Sequence, residues 1–124
     1  MLVGIGVDLV EIDRFRTALA RTPGLKDRLF RPDERAYADA KRDPVERYAV
    51  RFAAKEAVMK ALGRGLGEIA MFDIEVRRDE SGAPSVLLHG RAAQVAAEQG
   101  VRRWLLTLTH TEHTAQAIAV ALAD

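Results

Sequence analysis

The sequence predicts an α+β domain spanning residues 1–124, in which an antiparallel sheet packs on a long central helix. Three observations support this prediction: a strand-like alternation at the N-terminus, one long apolar helical segment in the middle, and two hairpin-like alternations in the C-terminal half. With 48% apolar residues, the 124-residue chain is long enough for one modest core and small enough to gain from association.

The first predicted strand runs from Leu2 to Val10 and contains one carboxylate, Asp8. Gly4 and Gly6 share the face of Asp8 and clear space beside it, which suits the close approach of a ligand or another backbone. The alternative is that Asp8 caps the following helix, because aspartate is a preferred N-cap residue. Three apolar side chains lie on the opposite face: Ile5, Val7 and Leu9.

Two helices are predicted next, over residues 11–22 and from Pro32 to about Lys41, the second with Tyr37 facing inward. Residues 14–31 hold six basic side chains and one acidic side chain, although the whole chain has a formal net charge of only +1. Such a run is usually a solvated face. Its functional interpretation is a surface for an acidic partner.

The central helix is predicted to begin at Asp43 as its N-cap, with Pro44 at the first helical position and Glu46 completing a capping box. Gly63 supplies the stop. A helix of this length extends for close to ~30 Å, about the diameter of a small domain. It is apolar almost all round, which indicates a buried helix and not a surface one.

Glu56 is the anomalous residue of this helix, because a carboxylate in apolar surroundings must be paired, bound to a metal or neutralised. The simplest alternative is an ion pair between Glu56 and Lys60, which have the favourable i,i+4 spacing. At about 100° per residue, the neighbours of Glu56 on the helix surface are apolar. They are Ala49, Phe52, Ala53 and Met59.

The segment after the helix, Gly63-Arg64-Gly65-Leu66-Gly67, is rich in glycine. Glycines let backbone N–H groups approach a phosphate, and the cations of Lys60 and Arg64 would lie on either side of it. The alternative is a flexible exit from the helix with no ligand, because a repeat of glycines is weak evidence by itself.

The C-terminal half is predicted to contain two hairpins around a short helix. The first hairpin pairs residues 72–78 with 85–89, the helix falls within 90–100, and the second hairpin turns at 111–113. His110 continues a leucine face, a pattern more typical of a core histidine than of a functional one. The return strand carries small residues that permit close approach by another chain: Ala115, Ala117, Ala119 and Ala121.

Two buried-looking carboxylates on different elements, Asp8 and Glu56, together with Lys60 and the glycine-rich segment, make a coherent set. Mg²⁺ prefers one or two protein carboxylates, several waters and phosphate oxygens. Zinc would need histidine or cysteine, and the three histidines are poorly spaced for it. The residues therefore predict a magnesium-dependent enzyme that acts on a phosphate ester or anhydride.

Composition excludes several classes of function. The chain has no cysteine, which excludes disulfides, thiolate zinc sites and thiol catalysis. No apolar run approaches the ~20 residues of a membrane span and no signal-peptide pattern is present, so a cytoplasmic protein without membrane contact is expected. Binding of nucleic acid by the basic segment is the competing hypothesis, which the near-zero net charge and the lack of an aromatic stacking surface disfavour. A magnesium-dependent phosphotransferase or hydrolase with a non-protein acceptor stays open.

Three blocks of the sequence resemble one known family. They are Gly4-Ile-Gly-Val-Asp8-Leu-Val-Glu-Ile-Asp-Arg14-Phe15, Arg51-Phe-Ala-Ala-Lys55-Glu56-Ala-Val-Met-Lys60-Ala-Leu-Gly63, and Leu108-Thr-His110-Thr111. In their order and spacing they resemble the holo-[acyl-carrier-protein] synthases, small bacterial members of the 4′-phosphopantetheinyl transferase superfamily. The resemblance spans nearly the whole chain. It implies the fold of that family and a homotrimer with active sites at its subunit interfaces.

The resemblance implies transfer of phosphopantetheine from coenzyme A to a serine of an acidic apo-acyl carrier protein, as in fatty acid biosynthesis, with release of adenosine 3′,5′-bisphosphate. By the match, Asp8 and Glu56 would hold Mg²⁺ on the coenzyme A pyrophosphate. Lys60 would stabilise charge at the phosphate. The serine hydroxyl would attack the β-phosphorus, with Glu56 as a candidate to assist the loss of its proton.

The resemblance also implies binding residues for both substrates. Contacts to coenzyme A fall on Arg51, Lys60, Gly63, Gly65, Pro84, His110 and Thr111. Within that set, Arg51 would lie near the 3′-phosphate and His110 near the adenosine. Docking of the carrier protein falls on Arg14, with three further basic residues in support: Arg21, Lys26 and Arg28. Three positions depart from the pattern of the family: Arg64, Ala83 and Thr109.

Overall fold

Helices and strands are distributed along the whole chain in the computed structural model, which describes residues 1–124. The strands are β1 (Leu2–Glu11), β2 (Ile74–Arg78), β3 (Pro84–Leu88), β4 (Arg103–His110) and β5 (Thr114–Leu122). The helices are α1 (Ile12–Arg21), α2 (Leu25–Leu29), α3 (Pro32–Asp39), α4 (Val45–Leu62) and α5 (Gly90–Glu98), with a 3₁₀ turn at Met71–Asp73. None of these helices is long and apolar enough to span a membrane.

The strands form two antiparallel sheets. One has the order β1-β5-β4, so that the first and last strands of the chain pair directly, and the other is the β2–β3 hairpin. The α+β class, the antiparallel pairing and both predicted hairpins are confirmed. The short helix α2 was not predicted, because Pro23 and Gly24 indicate a break and five residues give almost no periodicity.

Helix α4 packs on one face of the three-stranded sheet, against β1 and β5. The backbones approach closely where small residues meet: a Cβ on Gly4 would lie 2.0 Å from the carbonyl oxygen of Ala61. The stripe of alanines in β5 is fully buried there: Ala115, Ala117, Ala119 and Ala121. The prediction that this stripe meets another chain is therefore wrong, since small side chains serve here to let a helix of the same chain approach the sheet.

The opposite face of the same sheet is apolar and uncovered. On β1, the side chains of Ile5 and Leu9 are each 63% exposed and Val7 is 48% exposed, and on the far strand Leu105 is 49% exposed. Ile118 and the other outward side chains of β5 lie between them in the pairing register. A contiguous apolar surface of this kind indicates an interaction site.

The start of α4 differs from the predicted capping box. The N-cap is Pro44, and the only hydrogen bond from the start of the helix to Asp43 is a long one, 3.4 Å from the N–H of Val45 to Oδ1. Asp43 instead accepts two hydrogen bonds from the guanidinium of Arg16, at 3.0 and 2.8 Å, and Glu46 accepts from Lys41 Nζ at 2.6 Å. Bidentate and charge-assisted contacts are stronger than a capping bond. The carboxylates of Asp43 and Glu46 therefore bind Arg16 and Lys41 instead of capping the helix. The stop at Gly63 is confirmed, with a left-handed φ of 68°.

A buried ion pair that the sequence did not reveal joins α3, α4 and the β2 region. Lys55 Nζ donates to Glu34 Oε1 at 2.9 Å, to the carbonyl of Met71 at 3.0 Å and to the carbonyl of Ile74. The other oxygen of Glu34 accepts from the backbone N–H of Val76 at 3.0 Å. Both side chains are almost completely removed from water. Burial lowers the pKa of Lys55, and the Glu34 charge opposes that effect.

Replacing Gly6 with alanine is expected to destabilise the fold. A Cβ at Gly6 would lie 1.9 Å from the carbonyl oxygen of Ala57 in α4, so strand and helix would have to separate. Overpacking of this kind typically costs about 1–3 kcal/mol, which chemical denaturation can measure. Gly65→Ala is the matched control, because nothing lies within 4 Å of a Cβ there. Equal stability of the two variants would contradict the packing argument.

Candidate functional site

One cleft of about 740 Å³ collects side chains from β1, α1 and α4. Its polar wall consists of Asp8, Glu11, Arg14, Glu56 and Lys60. Its remaining wall is mostly apolar and includes two aromatic rings, Phe15 and Phe52, which contact each other at 4.9 Å between centroids. The three residues predicted to be catalytic therefore lie in one cleft, together with the predicted docking residue Arg14.

Lys60 links the helix to the first strand. Its Nζ donates to Asp8 Oδ1 at 3.1 Å and to the carbonyl of Val7 at 3.0 Å. The ammonium forms no ion pair with Glu56, so the i,i+4 alternative is wrong. Asp8 does not cap α1 either, because that helix begins at Ile12 and has no side-chain cap. The Asp8 side chain is only 16% exposed and the Lys60 side chain is 55% exposed, so Lys60 covers the carboxylate from the solvent side.

Glu56 is half-buried beside this pair, and its carboxylate has no basic partner within ion-pair distance. Burial raises the pKa of Glu56, the negative charge of Asp8 raises it further, and Lys60 partly offsets both effects. The two carboxylates are thus close enough to repel each other. A cation placed between them would remove that repulsion.

The donor set fits Mg²⁺ and does not fit zinc. No cluster of three or more histidine, cysteine, aspartate or glutamate side chains that could hold a metal is present. Two carboxylates, Asp8 and Glu56, are the number of protein ligands that Mg²⁺ usually takes beside water and substrate phosphate. Burial is the main cause of the raised pKa of Glu56 and the charge of Asp8 adds to it, so a cation beside the two carboxylates would lower that pKa.

Arg51 lies outside this cleft. It is only 4% exposed, and its guanidinium packs over the ring of Tyr37 at 4.1 Å from the centroid. Arg51 and Glu56 are about 140° apart around the axis of α4, taking ~100° per residue, so they face different sides of the helix. Pro84 lies on the Arg51 side, since it pairs with Arg78, which lines the same small pocket as Arg51.

His110 and Thr111 lie at the end of β4, close to the start of α4. The His110 side chain is 47% exposed and its Nε2 lies 3.1 Å from Glu46 Oε1, so the interpretation as a core histidine is wrong. Thr111 shapes the turn to β5: its hydroxyl accepts from the N–H groups of His113 and Thr114. Both residues are therefore accessible from the surface of the chain.

The glycine-rich segment is exposed at Gly63 and Gly65. Arg64 donates to Glu68 Oε2 at 3.0 Å, so its cation is paired with a carboxylate just after the segment. Leu66 is 73% exposed and lines the cleft of Asp8 and Glu56. The segment thus borders the cleft through an apolar side chain.

The four basic residues predicted to dock a carrier protein have different environments. Arg14 lines the cleft, and Arg21 and Arg28 are exposed. Lys26 is half-buried with its Nζ 4.9 Å from the ring centroid of Tyr48. Sequence reasoning missed Arg47 and Arg78, which pack together with Arg51 against the ring of Tyr37. Its only signal for them was the inward phase of that tyrosine.

A family model and individual known proteins similar to this chain point to the same family. Residues 4–121 match the family described as the 4′-phosphopantetheinyl transferase superfamily. The holo-[acyl-carrier-protein] synthase of Moorella thermoacetica is 48% identical over 119 residues, which cover 96% of this chain and 91% of that protein.

Solved structures with the same fold are also available for comparison. The holo-[acyl-carrier-protein] synthase of Neisseria meningitidis has a TM-score of 0.89 at 31% identity, with 98% of this chain and 99% of the other covered. The Helicobacter pylori holo-[acyl-carrier-protein] synthase, solved in complex with coenzyme A, has a TM-score of 0.83 at 27% identity, with 95% and 99% covered. The similarity therefore extends over nearly the full length in both sequence and fold.

Proposed function

Because the chain belongs to the 4′-phosphopantetheinyl transferase superfamily, we propose that it transfers 4′-phosphopantetheine from coenzyme A to a serine of apo-acyl carrier protein, releasing adenosine 3′,5′-bisphosphate. The observation that supports this proposal is the convergence of Asp8, Glu56 and Lys60 in one cleft that also holds Arg14. A carboxylate pair with an adjacent ammonium suits transfer of a phosphoryl-type group, which needs positive charge more than covalent chemistry.

The residues divide the chemistry between them. Asp8 and Glu56 would hold Mg²⁺, which when bound supplies positive charge that neutralises the pyrophosphate. Lys60 would stabilise charge on the departing phosphate through its ammonium, which already lies at hydrogen-bond distance from Asp8. Glu56 is our candidate to assist the loss of the serine proton, because its carboxylate lies in the same cleft as Asp8 and Lys60.

The proposed transfer is a single displacement at the β-phosphorus of coenzyme A. A bond forms between the serine oxygen of the carrier and the β-phosphorus, and the bond from that phosphorus to the bridging oxygen of the pyrophosphate breaks. The leaving group is adenosine 3′,5′-bisphosphate, whose new phosphate oxygen Lys60 would neutralise or protonate. The proton of the serine hydroxyl would pass to the carboxylate of Glu56.

The basic segment would dock the acidic carrier protein. Replacing Arg14 with alanine is expected to raise KM for the carrier about tenfold while KM for coenzyme A stays unchanged, because one charge-assisted contact to a carboxylate is lost. Steady-state kinetics with each substrate varied in turn would measure both constants. Arg91→Ala on α5 is the control, since that residue pairs within its own helix. An equal rise in both KM values would mean that Arg14 is not a docking residue.

We propose a homotrimer in which each active site combines two protomers. Two features support it: the coenzyme A residues Arg51 and Pro84 face a different side of α4 from Asp8 and Glu56, and one sheet face is apolar and uncovered. Contact between copies would bury that face, and each site would be complete where the Asp8 cleft of one copy lies beside Arg51 and Pro84 of the next.

Replacing Ile5 with aspartate tests the assembly. A charge on this exposed apolar side chain is expected to dissociate the oligomer and to reduce transfer at least tenfold, because a separated chain holds only part of each site. Sedimentation and activity would be measured together. Leu87→Asp, on β3 outside this sheet face, is the matched control at 40% exposure. A monomeric wild type, or a fully active monomeric variant, would contradict the proposed trimer.

Intact mass spectrometry tests the reaction directly. Apo-acyl carrier protein would be incubated with this protein, coenzyme A and Mg²⁺, with an EDTA control. A metal-dependent gain of one phosphopantetheine on the carrier is the expected result. Free phosphopantetheine without modified carrier would indicate hydrolysis or another acceptor. No change in any component would overturn the proposal.

A further inference from the structure

Three guanidinium groups surround the ring of Tyr37. The central guanidinium carbons of Arg47 and Arg51 each lie 4.1 Å from the ring centroid, and that of Arg78 lies at 5.3 Å. Arg47 and Arg51 come from α4, one turn apart, and Arg78 comes from β2. Arg47 also donates to the backbone carbonyl of Tyr37 at 2.6 Å, which fixes the position of the tyrosine on α3.

These cations lack counter-ions. None of the three arginines forms an ion pair within the chain. Four other arginines do so with a nearby carboxylate: Arg16, Arg31, Arg35 and Arg64. Arg51 is the extreme case, because it is 4% exposed and its Nε is buried without a hydrogen-bond acceptor. A buried charge without a partner is costly, and such a group in a native structure indicates an absent ligand or a functional role.

The carboxylates of the same pocket are engaged elsewhere. The pocket has a volume of about 230 Å³. Glu34 is paired with Lys55, and Glu75 lies against His89 at 2.8 Å, which leaves only the exposed Asp33. Burial lowers the pKa of Arg51; Tyr37 and the charge of Glu34 oppose that effect, and the charges of Arg78 and Arg47 add to it. Arg51 and Arg78 therefore line this pocket without forming an ion pair with its carboxylates.

We propose that Tyr37 is a positioning residue that holds Arg51 and Arg78 for the phosphate monoester of the nucleotide, and so sets a preference for coenzyme A over 3′-dephospho-coenzyme A. The inference rests on the proposed function. A flat ring orients guanidinium planes without using their N–H donors. One terminal nitrogen of Arg78 donates to the carbonyl of Gly82 at 2.7 Å, which leaves its other N–H groups for phosphate oxygens. A phosphate dianion with several acceptor oxygens could accept from the Nε of Arg51, which now lacks an acceptor, and from a terminal nitrogen of Arg78.

The test compares Tyr37→Ala with Tyr37→Phe, which keeps the ring. Tyr37→Ala is expected to lower the kcat/KM preference for coenzyme A over 3′-dephospho-coenzyme A about tenfold, through KM and not kcat, while Tyr37→Phe retains the preference. Arg78→Ala is expected to act like Tyr37→Ala. Arg91→Ala, which removes the same charge from α5, is the matched control. Unchanged discrimination in both Tyr37→Ala and Arg78→Ala would overturn the inference.

A binding measurement separates this inference from the proposed function. Calorimetry of adenosine 3′,5′-bisphosphate and adenosine 5′-monophosphate needs no transfer reaction. The wild type is expected to bind the bisphosphate about tenfold more tightly, and Tyr37→Ala is expected to lose that difference. If Tyr37→Ala unfolds, Arg78→Ala on the exposed strand decides the question. Equal binding of the two nucleotides by the wild type would overturn the inference, whether or not transfer to a carrier occurs.

Discussion

Replacing Glu56 with glutamine is expected to reduce metal-dependent transfer about 1,000-fold, because a neutral amide cannot supply the charge that holds a divalent cation against Asp8. The side chain keeps its size, so the cleft should keep its shape. The rate of carrier modification at saturating Mg²⁺ would be measured by mass spectrometry. Glu68→Gln is the matched control, since Glu68 binds Arg64 outside the catalytic group. Near-normal activity of Glu56→Gln would contradict the proposal that Glu56 is a metal ligand.

The same substitution has a predictable effect on stability. The pKa of Glu56 is raised in the folded chain, so stability increases as the pH falls through that pKa toward the ordinary value of glutamate. Above it, the ionised carboxylate opposes folding through burial and the charge of Asp8. Glu56→Gln is therefore expected to leave the melting temperature at neutral pH unchanged or higher. Lost activity with unchanged stability would separate a chemical role from a structural one.

Replacing Lys55 with methionine is expected to destabilise the fold by about 3–5 kcal/mol, because it leaves the Glu34 carboxylate buried without its cation. Two backbone carbonyls, of Met71 and Ile74, also lose a donor. Denaturant unfolding would give the free energy directly. Arg64→Ala removes an exposed ion pair and should cost less than about 1 kcal/mol.

A second substitution identifies the cause of that loss. Glu34→Gln added to Lys55→Met would neutralise the stranded carboxylate while keeping an acceptor for the N–H of Val76. The double variant is therefore expected to be more stable than Lys55→Met alone. If it is less stable, the loss comes from the packing of the lysine stem and not from the unpaired charge.

The elements of the fold were predictable where local periodicity was strong. Alternation identified β1 and both hairpins, and Gly63 marked the end of α4 correctly. The prediction missed the short helix α2 and gave a wrong capping box for different reasons. Helix α2 is too short to show a helical period, and Asp43 forms a stronger contact with Arg16. Local preferences of a few tenths to one kcal/mol yield to tertiary contacts of this kind.

The sequence by itself determined the two anomalous carboxylates, Asp8 and Glu56, and the family that its motifs resemble. Both conclusions follow from local facts, since a charge in an apolar strand or helix is visible in the chain itself. Their roles as metal ligands stay predictions. The face of β1 that bears Asp8 also followed from alternation.

Only the tertiary structure decided which groups meet. It turned Lys60 toward Asp8 instead of Glu56, paired Lys55 with Glu34 and gathered three arginines around Tyr37. It also directed the alanines of β5 toward α4, which leaves the other face of the sheet uncovered. Periodicity gives the side of an element on which a residue lies, but the partner across that side depends on packing between segments distant in sequence.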